Sequence, residues 1–108
     1  MYARRVSLQL KPNSLTEMTQ LLEKQIIPLL RKEKGFQDEI TFAVPGGNFA
    51  FGISLWDSKE SAEAYNAGGF VEVTKILSPL TEKPPKVDVF EVANSTFHKI
   101  AAAAAATA

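Results

Sequence analysis

The stretch Ile53-Ser54-Leu55-Trp56-Asp57-Ser58-Lys59-Glu60-Ser61-Ala62-Glu63-Ala64-Tyr65 constrains the fold more than any other part of the chain. It reads as a buried strand running directly into a capped helix, with Trp56 at the corner. The only tryptophan and one of the two tyrosines therefore gather at one strand–helix junction. Asp57 or Ser58 caps the helix; Asp57 is preferred, because Glu60 then takes the third helical position. Ala62 and Tyr65 give the helix an inner face, and Gly68-Gly69 breaks it. A further helical piece carries Phe70, Val73, Leu77 and Leu80. Pro79 sits near its end, and Pro84-Pro85 forbids continuation.

The flanking segments supply the rest of the plan. Val6, Leu8 and Leu10 alternate with Arg5, Ser7, Gln9 and Lys11, the pattern of a half-buried strand. Ser14-Leu15-Thr16-Glu17 fits a capping box. A helix follows, with Leu15, Met18, Leu22, Ile26 and Leu29 on one face. Arg31, Lys32 and Lys34 suit its carbonyl end, and Gly35 is the expected stop. Pro28 predicts a bend within this single helix. Ile40, Phe42 and Val44 alternate with Glu39, Thr41 and Ala43. Pro45-Gly46-Gly47-Asn48 then turns the chain into Phe49, Phe51, Ile53 and Leu55, a large apolar set opposed by Ala50, Gly52, Ser54 and Trp56. The short turn makes the pair an antiparallel hairpin. Val87 to Val92 is the last strand, and Asn94 to Ile100 is a polar segment.

This order predicts an α+β fold of the ferredoxin-like βαββαβ plan, an antiparallel sheet with two helices on one face. One domain spans 1–100, and 101–108 is an alanine-rich tail from which no function is drawn. The face without helices is too apolar for comfortable solvation. A second copy would cover it through a two-fold contact of the sheets. The pattern alone does not fix which face serves which role.

Composition narrows the function classes. Lys plus Arg is 12 and Asp plus Glu is 12, so the net charge is zero. Phosphate binding needs surplus cations, so nucleic acid is not an expected partner. No apolar run approaches the roughly 20 residues that span a bilayer, so neither is a membrane. The absence of cysteine excludes disulfides, thiolate catalysis and cysteine metal sites. Met1 to Arg5 leads into an alternating segment without a signal-peptide pattern, and a cytoplasmic protein is expected.

The helix end Leu29-Leu30-Arg31-Lys32-Glu33-Lys34-Gly35-Phe36, the Leu55-to-Tyr65 motif and the element order together resemble the antibiotic biosynthesis monooxygenase (ABM) domains of the dimeric α/β-barrel superfamily, over about Val6 to His98. The resemblance implies a homodimer whose sheets close into a barrel, with a pocket in each protomer between sheet and helices. Some members oxidise polyketide-like aromatics with oxygen and no metal or organic cofactor; others degrade haem. The haem degraders use an asparagine, a tryptophan and a histidine. Their positions fall here near Ser7, at Tyr65 and near Lys75, and none matches.

Trp56 either walls a pocket and stacks on an aromatic ligand, or fills the core or the dimer contact. Tyr65 and Asn66 either orient a polar substrate atom, or are a half-buried phenol and an exposed amide. Phe70 joins the substrate-binding candidates. His98, the only histidine, is either an acid or base near neutral pH or a solvated or intersubunit group. Asp38, Glu39, Asp88 and Glu91 alternate with apolar residues, as on a solvated edge or face. No metal spacing is present and no cofactor is expected. The reading is a domain binding a small hydrophobic or aromatic molecule, with cofactor-independent monooxygenase chemistry resting on Tyr65, Asn66 and Trp56. The alternative is a non-catalytic dimeric binding or accessory domain.

Overall fold

A computed structural model of the chain describes residues 1–100; the alanine-rich tail, 101–108, lies outside the described residues. The elements are β1 (Tyr2–Gln9), α1 (Leu15–Leu21), α2 (Ile27–Arg31), β2 (Phe36–Ala43), β3 (Phe49–Trp56), α3 (Lys59–Ala67), α4 (Gly69–Leu77) and β4 (Lys86–Glu91). The sheet order is β2-β3-β1-β4, and every neighbouring pair is antiparallel. This is the expected ferredoxin-like arrangement.

The predicted bend at Pro28 takes a particular form. A π-helical turn, Leu22–Ile26, joins α1 to α2. Proline offers no N–H to the carbonyl four residues back, and its ring crowds that carbonyl. The strain is relieved just upstream, where the Ile27 N–H bonds to the Leu22 carbonyl, five residues back.

Two caps differ from expectation. Ser14 precedes α1 but its side chain makes no capping bond. Its backbone is helical (φ −98°, ψ −3°), whereas a capping serine needs extended dihedrals. Ser58, not Asp57, caps α3: it is extended, and its Oγ accepts from the Ser61 N–H at 3.2 Å. Asp57 is held to the sheet end instead, its N–H bonding the Gly35 carbonyl at 2.8 Å. Gly35 lies beyond the end of α2, with φ +83°, and turns the chain into β2. A Cβ there would stand 2.3 Å from Asp57 Oδ1 and 2.5 Å from Ser61 Cβ. Glycine is required by both conformation and space.

Strand parity decides the two faces. Tyr2, Arg4, Val6, Leu8 and Leu10 share a face with Ala50, Gly52, Ser54 and Trp56, by the register Leu8↔Ala50, Val6↔Gly52, Arg4↔Ser54 and Tyr2↔Trp56. The core lies on this face. Leu8, Leu10, Ala50 and Trp56 pack with Met18, Ile26 and Leu30 of the first helical segment and with Ala62, Tyr65, Val73 and Leu77 of α3 and α4. The small side chains of β3 thus face the helices. Its large ones, Phe49, Phe51, Ile53 and Leu55, face the other way with Ile40, Phe42 and Val44. On that open face Ile40, Phe42, Val44 and Phe49 are 40 to 48% exposed.

Candidate functional site

The small residues of β3 leave space beneath the helices. That space is a cavity of about 60 Å³ lined by Val6 and Leu8 of β1, by Leu22, Ile26 and Leu30, and by Phe70, Val73 and Leu77 of α4. The π turn helps shape it, because Leu22 and Ile26 both border it. Among the described residues, four polar ones line the wall: Glu39, Thr41, Ser54 and Tyr65. At about 60 Å³ the space is under half the roughly 150 Å³ of an apolar cavity known to take benzene.

The sheet register brings the polar groups together. Glu39 pairs with Ser54, and Ser54 with Arg4, so three strands carry them in one row. Thr41 pairs with Gly52 in the next row. Thr41 Oγ1 donates to Glu39 Oε1. Gly52 makes room for them: a Cβ there would stand 3.1 Å from Glu39 Oε1 and 3.4 Å from Thr41 Oγ1. Burial pushes the Glu39 carboxyl above the ordinary carboxylate range, with the Thr41 hydrogen bond opposing.

Arg4 is 1% exposed. Its guanidinium carbon lies 4.9 Å from the Tyr65 ring centroid and 4.4 Å from that of Phe70. Nη2 donates to Asn66 Oδ1 at 2.9 Å, while the buried Nη1 has no hydrogen-bond partner among the described residues. Burial lowers the Arg4 pKa. The Tyr65 hydroxyl is pushed up to about 12, chiefly by burial, against the pull of Arg4 and with help from Glu33 and Glu39. Tyr65 is therefore a neutral hydrogen-bonding group at ordinary pH.

The candidate residues named from sequence fall at different depths. Tyr65 and Phe70 line the cavity. Trp56 stands behind Tyr65, fully buried, with the two rings stacked at 4.7 Å. Its Nε1–H donates to Ser54 Oγ at 2.9 Å, and Phe36 meets it edge-on. Asn66 is exposed and holds Arg4 from outside. His98 is not brought to the cavity: it pairs with Asp38, whose neighbour across the sheet is Leu55 of the open face. Glu39 is a correction. The solvated edge or face expected of it does not hold, because Glu39 pairs with Ser54 in the same register that pairs Ile40 with Ile53, which puts it on the helix-facing side. Arg4 was missed, although it shares the parity of Val6 and Leu8, which marks it as a charge on an apolar face. Among the described residues no group of three or more His, Asp or Glu is placed to hold a metal ion. No helix among them is long and apolar enough to cross a membrane.

No family model matches the sequence, and no curated protein matches it. Solved structures match by shape. A Nitrosomonas europaea protein of unknown function, NE2512, superposes with a TM-score of 0.73 at 19% identity, covering 94% of each chain. A Streptomyces coelicolor monooxygenase from the gene ActVA-Orf6, in complex with Nanaomycin D, gives 0.75 at 17% identity, covering 91% of this chain and 92% of that one. A MhuD variant with two manganese protoporphyrin IX molecules per active site gives 0.71 at 15% identity, covering 89% and 98%. Structures carrying the antibiotic biosynthesis monooxygenase name are among the other matches. The four-stranded antiparallel sheet with its helices on one face is therefore the ferredoxin-like fold of the antibiotic biosynthesis monooxygenases.

Proposed function

We propose that this chain binds a small hydrophobic or aromatic molecule in the cavity between sheet and helices, and acts on it as a cofactor-independent monooxygenase. The carrying observation is the cavity itself, apolar on most sides with Glu39, Thr41, Ser54 and Tyr65 as its polar points. The fold it shares with a monooxygenase solved in complex with Nanaomycin D supports the oxygenase reading. In this reading the apolar wall strips water from an electron-rich ring, and the Tyr65 hydroxyl positions it for oxygen. Trp56 and Asn66 are positioning residues: one backs the Tyr65 ring and the other fixes Arg4 against it. Haem is not the proposed ligand, since the only histidine pairs with Asp38 away from the cavity.

The protomer is proposed to work as a homodimer joined through the open sheet face. Ile40, Phe42, Val44, Phe49 and Phe90 are each at least 40% exposed there, and Phe42 stacks on Phe51 at 5.0 Å. A patch of this kind is normally covered, and a two-fold contact covers both copies at once.

Native mass spectrometry of the purified chain identifies a retained molecule, and oxygen uptake then measures turnover. Tyr65→Phe is expected to lower turnover by about tenfold or more while the melting temperature changes little. Unchanged turnover contradicts the oxygenase assignment. The second reading, a non-catalytic binding or accessory domain, is favoured by one observation: the polar tips of Trp56 and Asn66 are already engaged, by Ser54 and Arg4. Ligand retention without oxygen uptake would select it.

A further inference from the structure

We propose that Glu39 is the specificity-determining residue of the cavity: it selects a single-ring ligand bearing a hydroxyl group, whose O–H donates to Glu39 Oε2. This rests on the ligand-binding reading above.

The side chain is placed for that purpose. It enters from β2 beside Gly52, where an added Cβ would stand 3.1 Å from Glu39 Oε1. Thr41 fixes the carboxyl by donating to Oε1, and no hydrogen bond among the described residues occupies Oε2. The other polar groups of the wall compete poorly as acceptors. Ser54 Oγ already receives the Trp56 N–H. The Tyr65 hydroxyl keeps its proton and lies against the Arg4 guanidinium. An acceptor in an apolar wall costs desolvation when left unpaired, so a ligand that supplies a donor gains more than one that does not.

Charge narrows the class further. An anionic ligand meets the Glu39 carboxylate. A cationic one meets Arg4, whose guanidinium stands against both Tyr65 and Phe70, two walls of the same cavity. A neutral donor satisfies both. The small volume excludes anything larger than one ring, and that ring needs the walls, Phe70 and Tyr65 among them, to shift outward as it enters.

The test is calorimetric titration of the full chain with phenol, anisole, benzylamine and benzoate. Phenol is expected to bind about tenfold tighter than anisole, the worth of one hydrogen bond to a charged acceptor. Glu39→Leu should bring phenol down to the anisole level and leave anisole unchanged. Glu39→Gln keeps an accepting oxygen and should retain part of the preference. Equal binding of phenol and anisole, a preference that survives Glu39→Leu, or tightest binding of benzylamine or benzoate each overturns the role of Glu39. If anisole and phenol bind equally well the cavity reading still stands; if neither binds, both readings fall. Should Glu39→Leu not fold, Glu39→Gln decides through pH. Wild-type phenol affinity should fall as the carboxyl protonates, and the variant should stay flat. The other charged and titratable groups around the site are Tyr65 on α3, Arg4 on β1 and Glu33 ahead of β2. Glu33→Gln is therefore the control and should keep the wild-type profile. A pH dependence that vanishes with Glu33 instead overturns the proposal.

Discussion

At the residue scale, the site is a cluster of buried polar groups that stability alone would not select. Arg4 sets its guanidinium against two aromatic rings and leaves Nη1 without a partner among the described residues. Tyr65 gives the clearest test. Unfolded tyrosine ionises near pH 10, whereas burial holds Tyr65 protonated up to about 12. The folded state binds the extra proton between those values. Its contribution is full below about pH 10 and is lost as pH rises through about 12, a swing of about 2–3 kcal/mol. Chemical denaturation across this window should therefore show wild type losing more stability than Tyr65→Phe, by roughly that amount. Parallel profiles would mean that Tyr65 is not held in an apolar setting.

At the element scale, capping separates local sequence signal from tertiary placement. Ser14 and Ser58 both precede helices, but only Ser58 has the extended backbone that aims its oxygen at an N–H of the first turn. Ser58→Ala is expected to cost about 1 kcal/mol. Ser14→Ala and Asp57→Ala should each cost clearly less, as read from urea midpoints. Equal losses at 14 and 58 would contradict the assignment. The elements themselves were legible: alternation at Val6–Leu10 and at Ile40–Val44, the Pro45–Asn48 turn and the 3.6-residue spacing around Met18 and Leu22 name the strands and the helix. What was not legible was detail fixed by contact between elements. Asp57 matches a cap pattern as well as Ser58 does, until the Gly35 carbonyl holds its N–H. Pro28 announces a bend, but not that the slack gathers at Leu22–Ile26, where two side chains then border the cavity.

At the scale of the whole molecule, the sheet presents its bulky side chains away from its own helices. Larger apolar sets ordinarily suggest the core, which is why the sequence pattern left the two faces open. Here Ala50, Gly52 and Ser54 face inward because the helices and a cavity share that side, and Glu39 and Arg4 follow by parity. The candidate site was legible in Tyr65 and Phe70; Glu39 and Arg4 became visible only with the face assigned. The outward Phe42, Phe49 and Phe90 give a prediction about assembly. Sedimentation velocity at micromolar concentration should find a dimer, and Phe42→Asp should shift it toward monomer without changing the far-ultraviolet circular dichroism. A monomeric wild type would remove the two-sheet arrangement.

The most direct measurement is a crystal structure of the full chain grown with saturating phenol. Density for one ring between Val6, Leu30 and Phe70, with its oxygen turned to Glu39, is the predicted result. Leu22 and Phe70 closing into an empty-of-ligand space, with phenol absent or seated elsewhere, would contradict the assignment of this cavity as the binding site.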